Sequence, residues 1–309
     1  MSRILEPGEI EASATAPTFL HLPPADVFAH RAERLETLAA GNPLADYLLL
    51  LAGLCRVQQS LLDQPPAIWQ PEPERVRQSL QHGLPPLSAD SQVREGGWQP
   101  WLDALLDRYP SVDQPAVSEA LAALRGADIG QRRAWAVSLL SGQYAGVPAA
   151  IVPFLGAALQ AAWTHRLLQL PREGLKPADA LGQCPACGSP AMGGVIRHRG
   201  KQNGLRYLAC SLCACEWHVV RVKCVYCEQS KGLKYVSLDD DRMSIDKAPL
   251  RAEVCPSCNS YLKHIYLEHA ADAEMLSADL SSLTLDMRLD LEGYHRIAPN
   301  LMLAPGGEG

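Results

Sequence analysis

Apolar residues in the first half of the chain recur three and four positions apart, the spacing of helices that bury one face. Such a stripe runs through ADVFAHRAERLETLAAG after Pro23-Pro24, where Gly41 offers a C-cap. Asn42-Pro43 opens the next, PLADYLLLLAGLCRVQQSLLDQ, whose first half is apolar on nearly every face. A helix of that kind is buried among others, and Cys55 within it reads as a small core residue. Further helices are predicted at 71–82, 98–109, 114–125 and 130–141, with Pro- and Gly-bearing loops between them.

Residues 134–165 contain no Asp, Glu, Lys or Arg, which raises the question of a membrane span. Pro148, Pro153, Gly142, Gly146, Gln143 and Gln160 interrupt the stretch. It reads instead as two buried helices broken near Gly146-Val147-Pro148, the second running to about Leu170, and no membrane span is expected. His165 at its end reads as a packing or capping residue.

The period changes after a linker, LKPADALG, at Leu175–Gly182. GVIRHR, LRYLAC, EWHVVRV, LKYVSL and LKHIYLE are β-rich, with turns at GKQNG and SKG. Helical spacing returns in the tail, where Leu276, Leu280, Leu283, Met287 and Leu291 form one apolar stripe that Gly293 can cap. The expected fold is α+β. An extended leader (1–23) precedes an all-helical N-terminal domain (24–176). A small β-rich lobe with rubredoxin- or zinc-ribbon-like sites (177–270) follows, and a C-terminal helix and tail (271–309) complete the chain.

The lobe carries the chemistry. Nine of the ten cysteines lie between Cys184 and Cys258, and eight form C-x-x-C pairs: Cys184/Cys187, Cys210/Cys213, Cys224/Cys227 and Cys255/Cys258. A C-x-x-C turn points two thiolates at one ion, and two turns complete a tetrahedral four-sulfur site. Sequential pairing places Cys184, Cys187, Cys210 and Cys213 in site 1 and Cys224, Cys227, Cys255 and Cys258 in site 2, each with a strand hairpin between its knuckles. The ten-residue gap between the second and third pairs also permits the other pairing, with the outer pairs joined. Cys215 reads as a bystander, with exchange into site 1 the lesser reading, and His218 as structural. Tetrahedral sulfur suits zinc and iron alike. So small a lobe depends on ligation for its core, whereas the helical half is expected to fold without the metals.

Clustered cysteines favour metal ligation in a reducing compartment over disulfides. The first twenty residues show no secretory or twin-arginine signal, so a cytoplasmic location is expected. Residues 184–270 carry 12 basic and 8 acidic side chains, which invites a nucleic-acid reading. Each divalent ion in four thiolates contributes about −2, so two loaded sites cancel that excess, and no nucleic-acid partner is expected. Four thiolates close a coordination shell, and no P-loop, G-x-S-x-G or H-E-x-x-H occurs, so an enzyme is not expected.

The run LRYLACSLCACEWHVVRVKCVYCEQSKGLKYVSLDDD, with CPACGSP before it and CPSCNSYLK and ADLSSLTLDMRLDLEGYHR after it, resembles the FdhE accessory proteins of respiratory formate dehydrogenases. The resemblance is strong over 180–300 and looser over 20–175. It implies a cytoplasmic maturation factor, a chaperone that acts on the catalytic subunit of formate dehydrogenase before export. It also implies iron in both rubredoxin-like sites, with zinc as the alternative. The eight paired cysteines match the family's ligand positions one by one, whereas Cys215 stands where that pattern requires no cysteine. A zinc-ribbon nucleic-acid module and a rubredoxin-like electron carrier are the rival readings.

Overall fold

The uncharged stretch folds as the helix that the rest of the first half surrounds. The computed structural model describes residues 17–110, 114–171, 174–199, 202–238, 244–298 and 300–304. Within them the helical half comprises α1 (Val27–Ala39), α2 (Ala45–Asp63), α3 (Pro73–Gln81), α4 (Ala89–Glu95), α5 (Gln99–Arg108), α6 (Pro115–Gly126), α7 (Ile129–Leu140) and α8 (Val152–Gln169). Every residue of α8 from Val152 to Leu167 is buried, against α2, α5 and α7 among others. A helix apolar on all sides has no face to give to water, so it takes the centre. No helix among the described residues is long and apolar enough to cross a membrane.

Gly156 in α8 is required by a close approach. A Cβ there would lie 1.9 Å from the carbonyl oxygen of Leu301, where the end of the chain crosses the helix. His165 stacks its ring on Trp101 at 5.1 Å, and Cys55 is fully buried. The short α4 escaped the periodicity because it has too few residues to show a stripe. Its punctuation is visible, since Ser88 accepts from the Ser91 N–H and Gly96 closes it with φ +81°.

The second half builds one sheet, β2 (Ala191–Arg199), β3 (Gln202–Cys210), β4 (Glu216–Val219), β5 (Lys234–Val236), β6 (Leu250–Cys255), β7 (Ser260–Tyr266) and β8 (His295–Arg296), to which the start of the chain adds β1 (Leu20–His21). The order is β1-β4-β3-β2-β7-β6-β5, with β8 beside β7. Neighbours are antiparallel except β2–β7 and β7–β8. The parallel pair, Gly194↔His264 to Ile196↔Tyr266, joins the two expected ribbons into a single sheet. Gly194 makes room for this, because a Cβ there would fall 2.1 Å from the His264 ring. LRAEVC, which forms β6, does not read as a strand because it buries Arg251 and Glu253. Glu253 pairs with the buried Arg206 at 3.1 Å and accepts from the Tyr235 hydroxyl at 3.0 Å. Residues 1–16 of the expected leader, and Gly200-Lys201 of the GKQNG turn, lie outside the described residues. Leu20 and His21 pair with Trp217 and Glu216.

The tail corrects one expectation. The single stripe from Leu276 to Leu291 breaks at Ser282 into α9 (Met275–Ser281) and α10 (Leu283–Leu291). Leu276 and Leu280 are buried, but Met287 and Leu291 face solvent while Leu285 and Leu289 turn inward. The buried Lys263 causes the break: its ammonium donates to the Asp279 carbonyl (2.9 Å), the Ser282 carbonyl (3.3 Å) and the Ser282 hydroxyl (3.0 Å). Lys263 also pairs with the Asp279 carboxylate at 3.1 Å and with Asp286. Arg296 reaches both carboxylates from β8. Periodicity shows a stripe but not a cation that draws helix carbonyls away from it.

Candidate metal centres

Each C-x-x-C pair sits in the same backbone turn. The N–H of its first cysteine donates to the carbonyl five residues on, Cys184 to Ser189, Cys210 to Cys215 and Cys224 to Gln229, each at 2.9 Å. The fourth turn places Cys255 opposite Ser260 in the β6–β7 register. The residue after the second cysteine is left-handed in all four: Gly188 (φ +76°), Ala214 (+59°), Glu228 (+60°) and Asn259 (+52°). This curl aims backbone N–H groups at sulfur. Leu212 and Cys213 both donate to Cys210 Sγ at 3.4 Å. Burial raises the cost of a Cys255 thiolate, but the N–H groups of Ser257 and Cys258 outweigh it and hold its pKa at about 7.

The turns meet in two clusters. The first gathers Cys184, Cys187, Cys210 and Cys213, and the second Cys224, Cys227, Cys255 and Cys258, with the sulfurs in each within 4.8 Å of one another. Cys184–Cys213 and Cys187–Cys210 are 3.6 and 3.5 Å apart, and Cys224–Cys258 and Cys227–Cys255 are 3.8 and 3.6 Å apart. Sulfurs at about 2.3 Å from a common ion at tetrahedral corners would stand about 3.8 Å apart. The donor set therefore fits one tetrahedral ion per cluster.

The clusters differ in their surroundings. Site 1 is continuous with the helical core, and its four cysteines are buried. Leu87 and Ala89 donate backbone N–H groups to the carbonyls of Ala186 and Cys187 in its first turn, both at 2.8 Å. Gln160 Nε2 from α8 reaches the Ser211 carbonyl in the second turn at 2.9 Å. The helical half is thus packed on site 1. Burial pushes the Cys184 and Cys213 pKa well up, while Cys210, although buried, is held down by S–H donors from its four cysteine neighbours. Site 2 lies nearer solvent, with Cys227 and Cys258 half-buried and Tyr226 between its ligands 64% exposed.

Cys215 stands directly against site 1. Its sulfur is buried 3.3 Å from Cys184 Sγ and 3.6 Å from Cys213 Sγ. Ser260, five residues after Cys255 as Cys215 is five after Cys210, holds the matching place in site 2. Its Oγ lies 3.0 Å from Cys258 Sγ and 4.0 Å from Cys224 Sγ. Superposing the four C-x-x-C segments on one another in the sequence would have aligned these positions. His218 stays on β4, its ring 5.5 Å from Tyr207, and belongs to neither cluster.

Family models described as FdhE N-terminal, FdhE central domain and FdhE C-terminal domain match residues 16–180, 183–221 and 222–303. A protein of Pseudomonas putida named "Protein FdhE homolog" is 65% identical over 307 residues, covering 99% of this chain and 96% of that protein. One of the same name from Pseudomonas aeruginosa is 59% identical over the whole of both chains. The crystal structure of the FdhE protein from Pseudomonas aeruginosa superposes with a TM-score of 0.89 at 58% identity, over 94% of this chain and 100% of that one.

Proposed function

The chain belongs to the FdhE family, and we propose that it is a cytoplasmic, non-catalytic accessory protein that binds the catalytic subunit of a respiratory formate dehydrogenase during maturation. The observation that carries this reading is the family match along the whole chain, helical half and both cysteine clusters included. The donor chemistry supports it. Four thiolates saturate a tetrahedral ion and leave no position for water or substrate, so the clusters suit structure or electron storage better than Lewis-acid hydrolysis. An ion in each cluster would supply the charge that lets buried thiolates persist. The chain's own part is to hold the sulfurs by backbone N–H groups and to exclude water at site 1.

The test is a strain lacking the native gene, complemented with this chain and assayed for formate-dependent dye reduction, with co-purification of the catalytic subunit. Restored activity together with capture of the subunit is the expected result. Failure of the wild-type chain to capture the subunit overturns the reading.

One observation favours a second reading, electron transfer at site 2, because its ligands Cys227 and Cys258 approach solvent as an outer-sphere donor requires. Iron-loaded protein would then bleach and recover its visible absorbance in reduction–oxidation cycles, and a Cys227→Ser variant would lose the site 2 share of that signal.

A further inference from the structure

Five sulfurs, not four, surround site 1. Cys187 neighbours Cys184, Cys210 and Cys213. Cys215 neighbours the same three, with Cys184 at 3.3 Å and Cys213 at 3.6 Å. An atom in contact with all three corners of a triangle has only two places to stand, one on each side. Cys187 holds one of them and Cys215 the other. The five thiols thus outline two tetrahedra that share the face Cys184–Cys210–Cys213.

We propose that Cys215 is a reserve ligand of site 1, able to take the place of Cys187 and hold an ion from the opposite side of that shared face. Either set offers four sulfurs, so an ion that crosses the face exchanges one thiolate for another. The Cys215 thiol gives up its proton as Cys187 recovers one, and no net charge or electron is transferred. The backbone already suits this. Cys215 belongs to the same turn as Cys210 and Cys213, held by the Cys210 N–H to its own carbonyl at 2.9 Å, and it is fully buried beside the ligands. Site 2 provides the contrast. Its equivalent residue, Ser260, presents a hydroxyl, a poor ligand for a soft thiolate site. The inference rests on the four-cysteine reading of the clusters and not on the identity of the maturation partner.

The experiment uses the full chain loaded with cobalt(II), whose thiolate charge-transfer absorbance reports sulfur ligation, together with metal analysis after dialysis against a chelator of moderate strength. Wild type should keep two ions per chain. Cys187→Ala should also keep two, with four-thiolate absorbance retained, whereas Cys187→Ala/Cys215→Ala and Cys227→Ala should each fall to one. Folded Cys187→Ala with a single ion overturns the proposal, and so does the double variant keeping two. Should Cys187→Ala not be recovered folded, site 2 gives the answer. Ser260→Cys in the Cys227→Ala background installs the fifth thiol at the equivalent position and should restore the second ion. No restoration there overturns the proposal.

Discussion

Gln160 of the central helix donates its side-chain N–H to the carbonyl of Ser211, inside the second cysteine turn, at 2.9 Å. The same amide accepts through Oε1 from Arg31 (3.4 Å) and Gln58 (3.3 Å), so one side chain links two helices to site 1. Replacing it by Leu strands the Ser211 carbonyl in a dry interior and leaves the Arg31 guanidinium with Glu274 as its partner. Gln160→Leu should cost about 1–3 kcal/mol. Its distinctive mark is faster ion release from site 1 with site 2 unchanged, followed by chelator kinetics alongside the melting curve. Equal effects on both sites would refute a local role.

The two ions should leave at different rates. Cys227 and Cys258 are half-buried, while all four sulfurs of site 1 are covered by the main core. Challenge with a coloured chelator should give a fast phase from site 2 and a slow phase from site 1. The fast amplitude should vanish in Cys224→Ser/Cys227→Ser. Monophasic release of both ions would contradict the asymmetry.

Asp279 is fully buried, 3.1 Å from the Lys263 ammonium and paired with Arg296. Asp279→Asn leaves both cations short of a counter-charge and should destabilise the chain by about 3–5 kcal/mol, read from denaturant unfolding.

Stability should fall on acidification in two windows. Burial, with the Arg206 charge, holds the His264 pKa well below its ordinary value, so the folded state keeps the ring neutral while the unfolded chain takes up a proton. That contribution is complete above about pH 6.5 and is lost as pH falls from there. Burial raises the Asp279 pKa, but the charges of Arg296 and Lys263 outweigh it and keep the carboxyl below the usual range. Its contribution is complete above about pH 4 and is lost below that. Thermal midpoints at constant metal content should flatten over pH 5.5–6.5 in His264→Gln and below pH 4 in Asp279→Asn.

Gly156→Ala places a methyl group within 1.9 Å of the Leu301 carbonyl oxygen. Since the obstacle is backbone, the segment ending in Leu301 and Met302 must lift off α8. Limited proteolysis should cut there in the variant and spare the wild type. Equal resistance would show that the helix yields instead.

Helices with a long stripe, α1 and α2 above all, were legible because burial of one face leaves its period in the residues. The four cysteine turns were legible because chemistry there demands one residue type at a fixed spacing. Other features left no such trace. The break at Ser282 is made by Lys263, a charge from a strand distant in sequence. The strand Leu250–Cys255 is masked by a buried ion pair that makes it look polar. The place of Cys215 depends on which side of a sulfur triangle its turn presents, and spacing is silent on that.

The parallel contact between β2 and β7 has a consequence for the order in which the chain is made. β2 and β3 can pair as soon as both emerge from the ribosome, but the other edge of β2 stays bare until β7 follows. A bare edge invites neighbouring nascent chains to add a strand of their own. Gly193-Gly194, poor in strand propensity, sits on that edge, and Gly194 lies where the His264 ring will later cover it. The same glycine that admits the correct partner makes the waiting edge a weak template for a wrong one.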